Sequence, residues 1–272
     1  MARKTQAPST ALVVQDPKSF AVGAPLKDRF AAMMSKEGAA KVGSTLWPFL
    51  GTRGAQFRMG TDRKLGTEFD GVILGTAVVN QYYEGDYDPD NAAGPVCFAI
   101  ADLAEAQTET ELDALMRSLA PPKDLATKVS ERCDICQMNA WGSGKGRGKA
   151  CKNGRRVTVV GVSENYAKTE GARLNIPVTS VRKLADYTKR LAEVGRPLLA
   201  TVTRFSLSPG DRGGFEMDFE AVSPINDGKT LDALEQRAKE GRESLIAQPS
   251  TEPRAEKKAA EPQGKRRMVK RA

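Results

Sequence analysis

The sequence predicts a mainly β protein of the α+β class, built on a small antiparallel barrel with inserted helices. Three observations support this prediction. Six or seven segments have the alternation or the β-branched content of strands, and several contain glycines suited to bulges or bends. The clearest helical pattern, within 177–195, lies just before the last two strand patterns, which 210–214 joins as a hairpin.

The first strand patterns lie between residues 55 and 101. We expect strands at 55–60 and 67–83 and a short strand within 94–101, with 61–66 as a turn and Gly71 and Gly75 as bulge or bend positions. Residues 25–40 and 108–119 have helical spacing. A further strand is expected at 155–163.

The second half continues with a helix that Ser180 is placed to cap. Its apolar face is predicted to contain Val181, Leu184, Tyr187, Leu191 and Val194, and Gly195 ends it. Strand patterns at 198–209 and 213–224 follow, and then a charged C-terminal helix. This order of elements favours an OB-like barrel.

Five parts are expected along the chain. They are a loose N-terminal arm (1–25), an OB-like nucleic-acid-binding domain (26–226) with an inserted zinc loop (102–154), a C-terminal helix (227–248) and a disordered basic tail (249–272). Glu252 to Ala272 contain eight Lys or Arg and three Glu, out of a net charge of +8 for all 272 residues. The tail is therefore suited either to scanning an anionic polymer or merely to solubility.

Composition excludes several kinds of chemistry. The chain contains no histidine, which removes Ser-His-Asp and Cys-His catalysis and histidine metal ligands. No apolar run has the length of a membrane span, and the polar first ten residues do not resemble a secretory signal. We expect a cytoplasmic protein, in which clustered cysteines more often bind metal than form disulfides.

The four cysteines predict a zinc site. Cys133 and Cys136 form a C-x2-C pair, Cys151 follows fifteen positions later, and Cys97 precedes the pair on a predicted strand. Four thiolates favour one tetrahedral zinc ion, with an iron–sulfur centre as the competitor, and a closed four-sulfur site is structural and not catalytic. Two alternatives stay open. In the first, Cys97 is a core residue, and the remaining three cysteines and Asp134 are the metal-ligand candidates. In the second, the C-x2-C pair is a redox centre.

The segment between Cys136 and Cys151 predicts a phosphate-binding loop. Glycines alternate with cations from Ser143, and no acid occurs as far as Arg156. Glycine allows backbone N–H groups to approach a phosphate, and the cations release counterions when they bind it. The candidate cations are Lys145, Arg147, Lys149, Lys152, Arg155 and Arg156. We expect a metal at the loop's ends to give it a shape that it would not hold alone; the alternative is a solvated loop.

Aromatic residues supply candidate stacking positions. Trp141 is suited either to stacking on a base or to packing against the cysteine knuckle, and Tyr82 and Tyr83 end the long predicted strand. Core packing is the alternative for whichever tyrosine points inward. Arg58 on the first hairpin is a further phosphate candidate. Asp86 and Asp88 could hold Mg²⁺ in an enzyme, but their segment is more simply a turn, and we expect no enzyme activity.

Several segments together resemble a family of bacteriophage proteins described as single-stranded DNA-binding. They are PVCFA, CDICQMNAWGSGKGRGKACKNGRRV, IPVTSVRKLADYTKRLAEVGRPL and TVTRFSL, and the resemblance extends from Phe57 to Val222. It implies a zinc-containing, OB-like binder of single-stranded DNA with Cys97, Cys133, Cys136 and Cys151 as ligands. Many single-strand-binding proteins end in an acidic tail that recruits partners, whereas this tail is basic, which favours added DNA affinity.

The sequence thus predicts sequence-tolerant single-stranded DNA binding in phage replication or recombination, in the cytoplasm of an infected host. Phage replication or recombination proteins are candidate partners, and no membrane association is expected. The number of subunits stays open. The alternative is a zinc-stabilised interaction or transcription-regulating module that contacts a polymerase or a replication enzyme.

Overall fold

The computed structural model describes residues 46–52, 55–59, 63–85, 94–106, 108–210 and 214–249. The predicted N-terminal arm, the helix at 25–40, the Asp86/Asp88 segment and nearly all of the basic tail lie outside these residues.

The described residues form nine strands and three α-helices, so the mainly β prediction is confirmed. In chain order the elements are β1 (Phe49–Gly51), β2 (Phe57–Met59), β3 (Arg63–Gly66), β4 (Glu68–Tyr82), β5 (Cys97–Asp102), α1 (Glu109–Ser118), β6 (Lys152–Gly161), β7 (Gly171–Ile176), α2 (Val181–Glu193), β8 (Thr201–Pro209), β9 (Phe215–Pro224) and α3 (Gly228–Ile246). No helix among the described residues is long and apolar enough to cross a membrane.

The strands make one curled sheet in the order β3-β2-β1-β7-β6-β4-β8-β9, with β5 as an additional partner of β4. Every described pairing is antiparallel except that of β1 with β7. The long strand β4 is central: β6 pairs along one edge, while β8 and β5 pair with successive halves of the other edge. The described strands therefore form a half-barrel, and their pairings do not close it.

A helix covers each face of the sheet. Leu184, Tyr187 and Leu191 of α2 pack into a core with Phe205 and Phe219. On the opposite face, Leu234 of α3 packs with Val72, Val160 and Val202, next to Trp47. In the middle of β4 and at the end of β6 neighbouring apolar side chains point to opposite faces, which explains the consecutive apolar residues at Val72–Leu74 and Val159–Val160.

Several local predictions are confirmed. The helix expected at 108–119 forms as α1, and Thr108 caps it through a capping box with Glu111. The pairing of β4 with β6 shifts register between Ile73 and Gly75, as expected for a bulge there. Gly71 has a different role, since a Cβ at that position would lie 2.8 Å from the carbonyl oxygen of Val160. The hairpin of β8 and β9 and the C-terminal helix also form where they were expected.

Other local predictions were wrong. Residues 63–66, expected in a turn, form β3, and neither β1 nor β7 was predicted. Ser180 occupies the N-cap position of α2 but makes no capping hydrogen bond, because its hydroxyl accepts instead from the backbone N–H of Met217 in β9 at 2.8 Å. Val194 is exposed, since the helix ends at Glu193 before the chain turns at Gly195.

Candidate cysteine site and nucleic-acid interface

The end of β4 brings Cys97 and Cys151 to one place. Cys97 pairs with Tyr82 across β5, and Lys152 pairs with Gln81 across β6, so Cys151 lies next to Tyr82 on the other side. Residues that pair directly across antiparallel strands point to the same face. Two cysteines that are distant in sequence therefore flank one tyrosine on the face of the sheet that also carries α2.

Backbone hydrogen bonds place the C-x2-C segment over this face. The N–H of Cys133 donates to the carbonyl of Leu119 at 2.8 Å, and the N–H of Cys151 donates to the carbonyl of Met138 at 2.8 Å. The Asn139 side chain closes the knuckle, since its Nδ2 donates to the Cys133 carbonyl at 2.7 Å. The start and the end of the predicted loop are thus joined to each other and to the sheet.

All four cysteines line one small cavity of about 10 Å³, together with Asn80, Tyr82 and Met138. Space of this size holds about one water-sized sphere. Cys97, Cys133 and Cys151 are each only 8% exposed, and Cys136 is half-buried. As the side chains stand, no three or more Cys, Asp or Glu of the described residues are positioned to hold a metal ion. The thiols thus share a cavity without forming a finished coordination site.

The chemistry of this donor set fits a soft metal ion. Four sulfur donors around an ion-sized space match the preference of zinc for tetrahedral thiolate ligands. Burial, and next the charges of the neighbouring Cys133, Cys136 and Cys97, raise the pKa of Cys151 to about 12. Burial likewise raises the pKa of Cys133, while a hydrogen bond from Asn80 lowers it. Without a cation these two thiols therefore stay protonated at neutral pH.

The two alternatives for the cysteines have less support. Asp134 is turned outward and forms an ion pair with Arg132 at 2.8 Å, and it does not line the cavity. Cys97 is buried, as a core residue would be, but it lines the same cavity as the other three cysteines. A redox C-x2-C pair needs one thiol of low pKa, and burial makes Cys133 the less suitable of its two members.

The glycine-rich loop is a compact turn braced by its own hydrogen bonds. The N–H groups of Gly142 and Gly144 donate to the Gly148 carbonyl at 3.1 and 3.0 Å, and the Ser143 hydroxyl accepts from the Ala150 N–H at 3.0 Å. A Cβ on Gly144 would lie 2.8 Å from the backbone of Lys149, so only glycine fits there. These hydrogen bonds support the shape of the loop from within, and the expectation that a metal at its ends also holds it stays a prediction.

Most of the predicted cations lie at or near the surface. Lys145, Arg147 and Lys152 are exposed, and Lys149 and Arg155 are half-buried. Lys149 Nζ lies 3.3 Å from Asn139 Oδ1 and 5.3 Å from the ring centre of Trp141. This lysine connects the loop to the knuckle and places a cation beside an aromatic ring. Arg155 pairs with Val78 across β4 and so lies on the cysteine-bearing face.

Arg156 is not part of this surface, which corrects the sequence prediction. It is 0% exposed and points to the opposite face, because adjacent residues of a strand alternate. Its Nη1 donates to the carbonyls of Leu245 at 3.1 Å and Ala247 at 2.6 Å, and its Nε donates to Asn175 Oδ1 at 3.2 Å. The guanidinium thus satisfies carbonyls at the C-terminal end of α3 and holds that end against the sheet.

The aromatic candidates and Arg58 have different environments. Trp141 is 80% exposed, so the knuckle does not bury it. Tyr82 lines the cysteine cavity, whereas Tyr83 is 42% exposed. Arg58 lies on β2, which β1 and β7 separate from β6, so the structure does not bring it to the loop. Its Nε is buried and has no hydrogen-bond partner in the part of the chain that is described.

Asn80 is a site residue that the sequence analysis missed. It is buried, its Oδ1 accepts from Asn153 Nδ2 at 2.8 Å, and its amide contacts the Cys133 thiol. The available signal was an amide directly after the apolar run Ala77–Val79 of β4, since a buried polar side chain needs a partner.

Comparisons with known proteins give no assignment: no family model matches the sequence, and no curated protein or solved structure matches it.

Proposed function

We propose that this protein binds single-stranded DNA with little sequence preference, through the glycine-rich loop from Gly142 to Lys149 and the aromatic residue beside it. The main support for this proposal is the position of the loop. The four cysteines line one ion-sized cavity directly beneath it, and the loop presents Lys145, Arg147 and the 80%-exposed Trp141. An exposed aromatic ring next to exposed cations suits single strands, because every base has a face for stacking and every nucleotide carries a phosphate.

One structural zinc ion held by Cys97, Cys133, Cys136 and Cys151 is part of this proposal. The donor chemistry and the size of the cavity support it. When bound, the ion would supply the charge that keeps the four thiolates together and would tie β5, β6 and the knuckle to one point. The described residues then hold the loop at the end of β4, and we assign no catalytic activity.

The sheet supports the proposed binding mode. A curled half-barrel with its loop at one end is compatible with an OB-like barrel, in which nucleic acid crosses the strands near inserted loops. The likeness of the cysteine motif to phage proteins suggests a role in phage replication or recombination in the host cytoplasm, with replication proteins as partners.

The test is a titration of fluorescent oligo-dT, and of duplex DNA of the same length, at two salt concentrations. We expect tighter binding to the single strand, quenching of Trp141 fluorescence and a steep loss of affinity with salt. Equal affinity for duplex would contradict the proposal. Metal analysis of the purified protein, with titration of the native thiols, tests the zinc separately: four freely reactive thiols and no zinc or iron would exclude the metal.

A protein-interaction module is the second candidate, and one observation favours it. Ile135, inside the C-x2-C pair, is 66% exposed, next to a knuckle whose other apolar residues are partly buried. An exposed aliphatic residue on a metal knuckle suits contact with a polymerase or a replication enzyme. Partner capture that survives nuclease treatment, with no oligonucleotide binding by the pure protein, would favour this candidate over DNA binding.

A further inference from the structure

The face of the sheet opposite the cysteine cavity carries a second cationic and aromatic cluster, which we call the arginine patch: Phe49, Tyr83, Arg156 and Arg173. Phe49 and Arg173 pair across the parallel strands β1 and β7. The Arg173 guanidinium lies 4.1 Å from the ring centre of Phe49, and that of Arg156 lies 5.4 Å from it. Tyr83 is near enough to Arg156 for their charges to interact.

The two arginines have neutral partners. Arg156 donates to two backbone carbonyls and to Asn175, and Arg173 Nε donates to the Trp47 carbonyl at 2.6 Å. Among the ion pairs of the described residues, none involves either arginine. Burial, and next the charge of Arg173, lower the pKa of Arg156 to about 10. Two like charges thus lie together in a poorly solvated place, an arrangement that an anion would stabilise.

The patch is also accessible. Phe49 and Tyr83 are each 42% exposed, and Arg173 is half-buried. A guanidinium that lies over a phenyl ring keeps its N–H groups in its own plane, where those without a partner can form bidentate bonds to a phosphate. The exposed rings of Phe49 and Tyr83 supply stacking surfaces for bases. An acidic peptide would neutralise the same arginines but would make no specific use of the rings.

We propose that the arginine patch binds a phosphodiester and an adjoining base of single-stranded DNA, as a second contact on the strand that the cysteine-side loop holds. This inference rests on the proposed function. Tyr82 lines the cysteine cavity, and its chain neighbour Tyr83 belongs to the arginine patch. The end of β4 therefore connects the two surfaces by a short path, and a strand long enough to pass around that end reaches both.

Oligonucleotide length separates the two contacts. We would measure the affinity of oligo-dT of about 5 and about 30 nucleotides, lengths chosen around typical single-strand site sizes, for the wild type, Arg173→Gln and Phe49→Leu. Arg182→Gln is the matched control, because Arg182 is an exposed arginine on α2. We expect Arg173→Gln to weaken binding of the long oligonucleotide about tenfold, with a salt slope smaller by about 0.7, and to change the short one less than twofold.

The conservative variants Arg173→Lys and Phe49→Leu guard against a folding defect. Arg173→Lys keeps the charge but loses the bidentate geometry, so the salt slope should be retained while affinity falls part of the way. Phe49→Leu keeps an apolar side chain and should weaken binding of the long oligonucleotide about fivefold, since it removes one stacking surface. Melting temperatures that match the control establish that these losses are local.

The outcomes separate the two proposals. If the wild type binds both lengths and the patch variants behave like Arg182→Gln, the arginine patch is not a DNA contact, while DNA binding by the loop stands. If the wild type binds neither length, the proposed function fails and this inference fails with it. If polyglutamate binds the wild type as tightly as oligo-dT does, and Arg173→Gln abolishes only that binding, the patch is a peptide site and the inference is wrong.

Discussion

Asn153 Nδ2 donates a hydrogen bond to Asn80 Oδ1 at 2.8 Å, and this bond fixes which side of the Asn80 amide faces the cysteines. The Asn80 Nδ2 is left to donate to the Cys133 thiol. Both asparagines lie on paired strands, so the sheet itself orients the donor. Such N–H groups around a metal ligand hold it in position and tune its affinity for the metal.

We predict that Asn80→Asp weakens zinc binding about tenfold, because the carboxylate keeps the acceptor for Asn153 but replaces the N–H donor by a negative charge beside the thiolates. Competition with a chromophoric chelator measures this affinity. Asn165→Asp is the control, since Asn165 is an exposed asparagine in the segment between β6 and β7. Equal zinc affinity in Asn80→Asp and the wild type would remove Asn80 from the site.

Cys151→Ser and Cys133→Ser should both release the metal and lower the free energy of unfolding, since binding of a structural zinc ion contributes directly to folding. Chemical denaturation with and without added zinc measures the effect. The wild type should be stabilised by zinc and the variants should not. If chelation leaves the wild-type unfolding midpoint unchanged, the cysteines are core residues that need no ion.

Sequence reasoning found the cysteines but not their supporting residues, for a physical reason. The C-x2-C spacing and the glycine–cation alternation are local patterns, so the residues that form each of them stay close together in the fold. Asn80 and Arg173 act through partners 73 and 126 positions away, to which only the strand register brings them. Arg156 was misassigned because a run of cations does not reveal which residues a strand turns inward.

The curvature of the sheet could not be predicted from local sequence patterns either. The long strand β4 was predicted almost to the residue, yet whether the sheet closes depends on which edges pair. The short strand β1 has little β signal of its own, whereas β7 alternates the buried Ala172, Leu174 and Ile176 with polar residues, a pattern that was overlooked. They form because each completes the edge of a neighbouring strand.

Neutralising Lys145, Arg147 and Lys149 together to glutamine should leave the fold intact and reduce the slope of log affinity against log salt by about 2, which is roughly 0.7 for each lost phosphate contact. The matched control is the triple glutamine variant of Arg182, Lys189 and Arg190, three exposed cations on α2. Unchanged oligonucleotide affinity in the loop variant would remove the loop from the binding surface.

Arg156→Met should destabilise the protein without a direct effect on the loop. The variant leaves the carbonyls of Leu245 and Ala247 without their charged donor, and each such bond contributes about 1.5–3 kcal/mol. We expect unfolding at lower denaturant and faster amide exchange at the C-terminal end of α3. Affinity for the short oligonucleotide should stay within twofold of wild type. A tenfold loss of affinity for the short oligonucleotide would mean that Arg156 does belong to the loop-side interface.

The ion pair of Asp70 with Arg204 makes stability depend on pH at the acid end. Arg204 donates two hydrogen bonds to the Asp70 carboxylate, at 2.8 and 2.9 Å, and joins β4 to β8. These bonds hold the pKa of Asp70 below its ordinary value, so the folded state binds this proton less readily than the unfolded state does. The stabilisation is therefore complete above the ordinary aspartate pKa of about 3.9 and is lost as the pH falls below it.

Asp70→Asn should be less stable than the wild type at pH 7, and the difference in the free energy of unfolding should shrink as the pH is lowered from about 5 to about 3. Urea unfolding at each pH measures this difference. A difference that stays constant over this range would mean that the carboxylate charge contributes nothing and that only the geometry of the side chain matters.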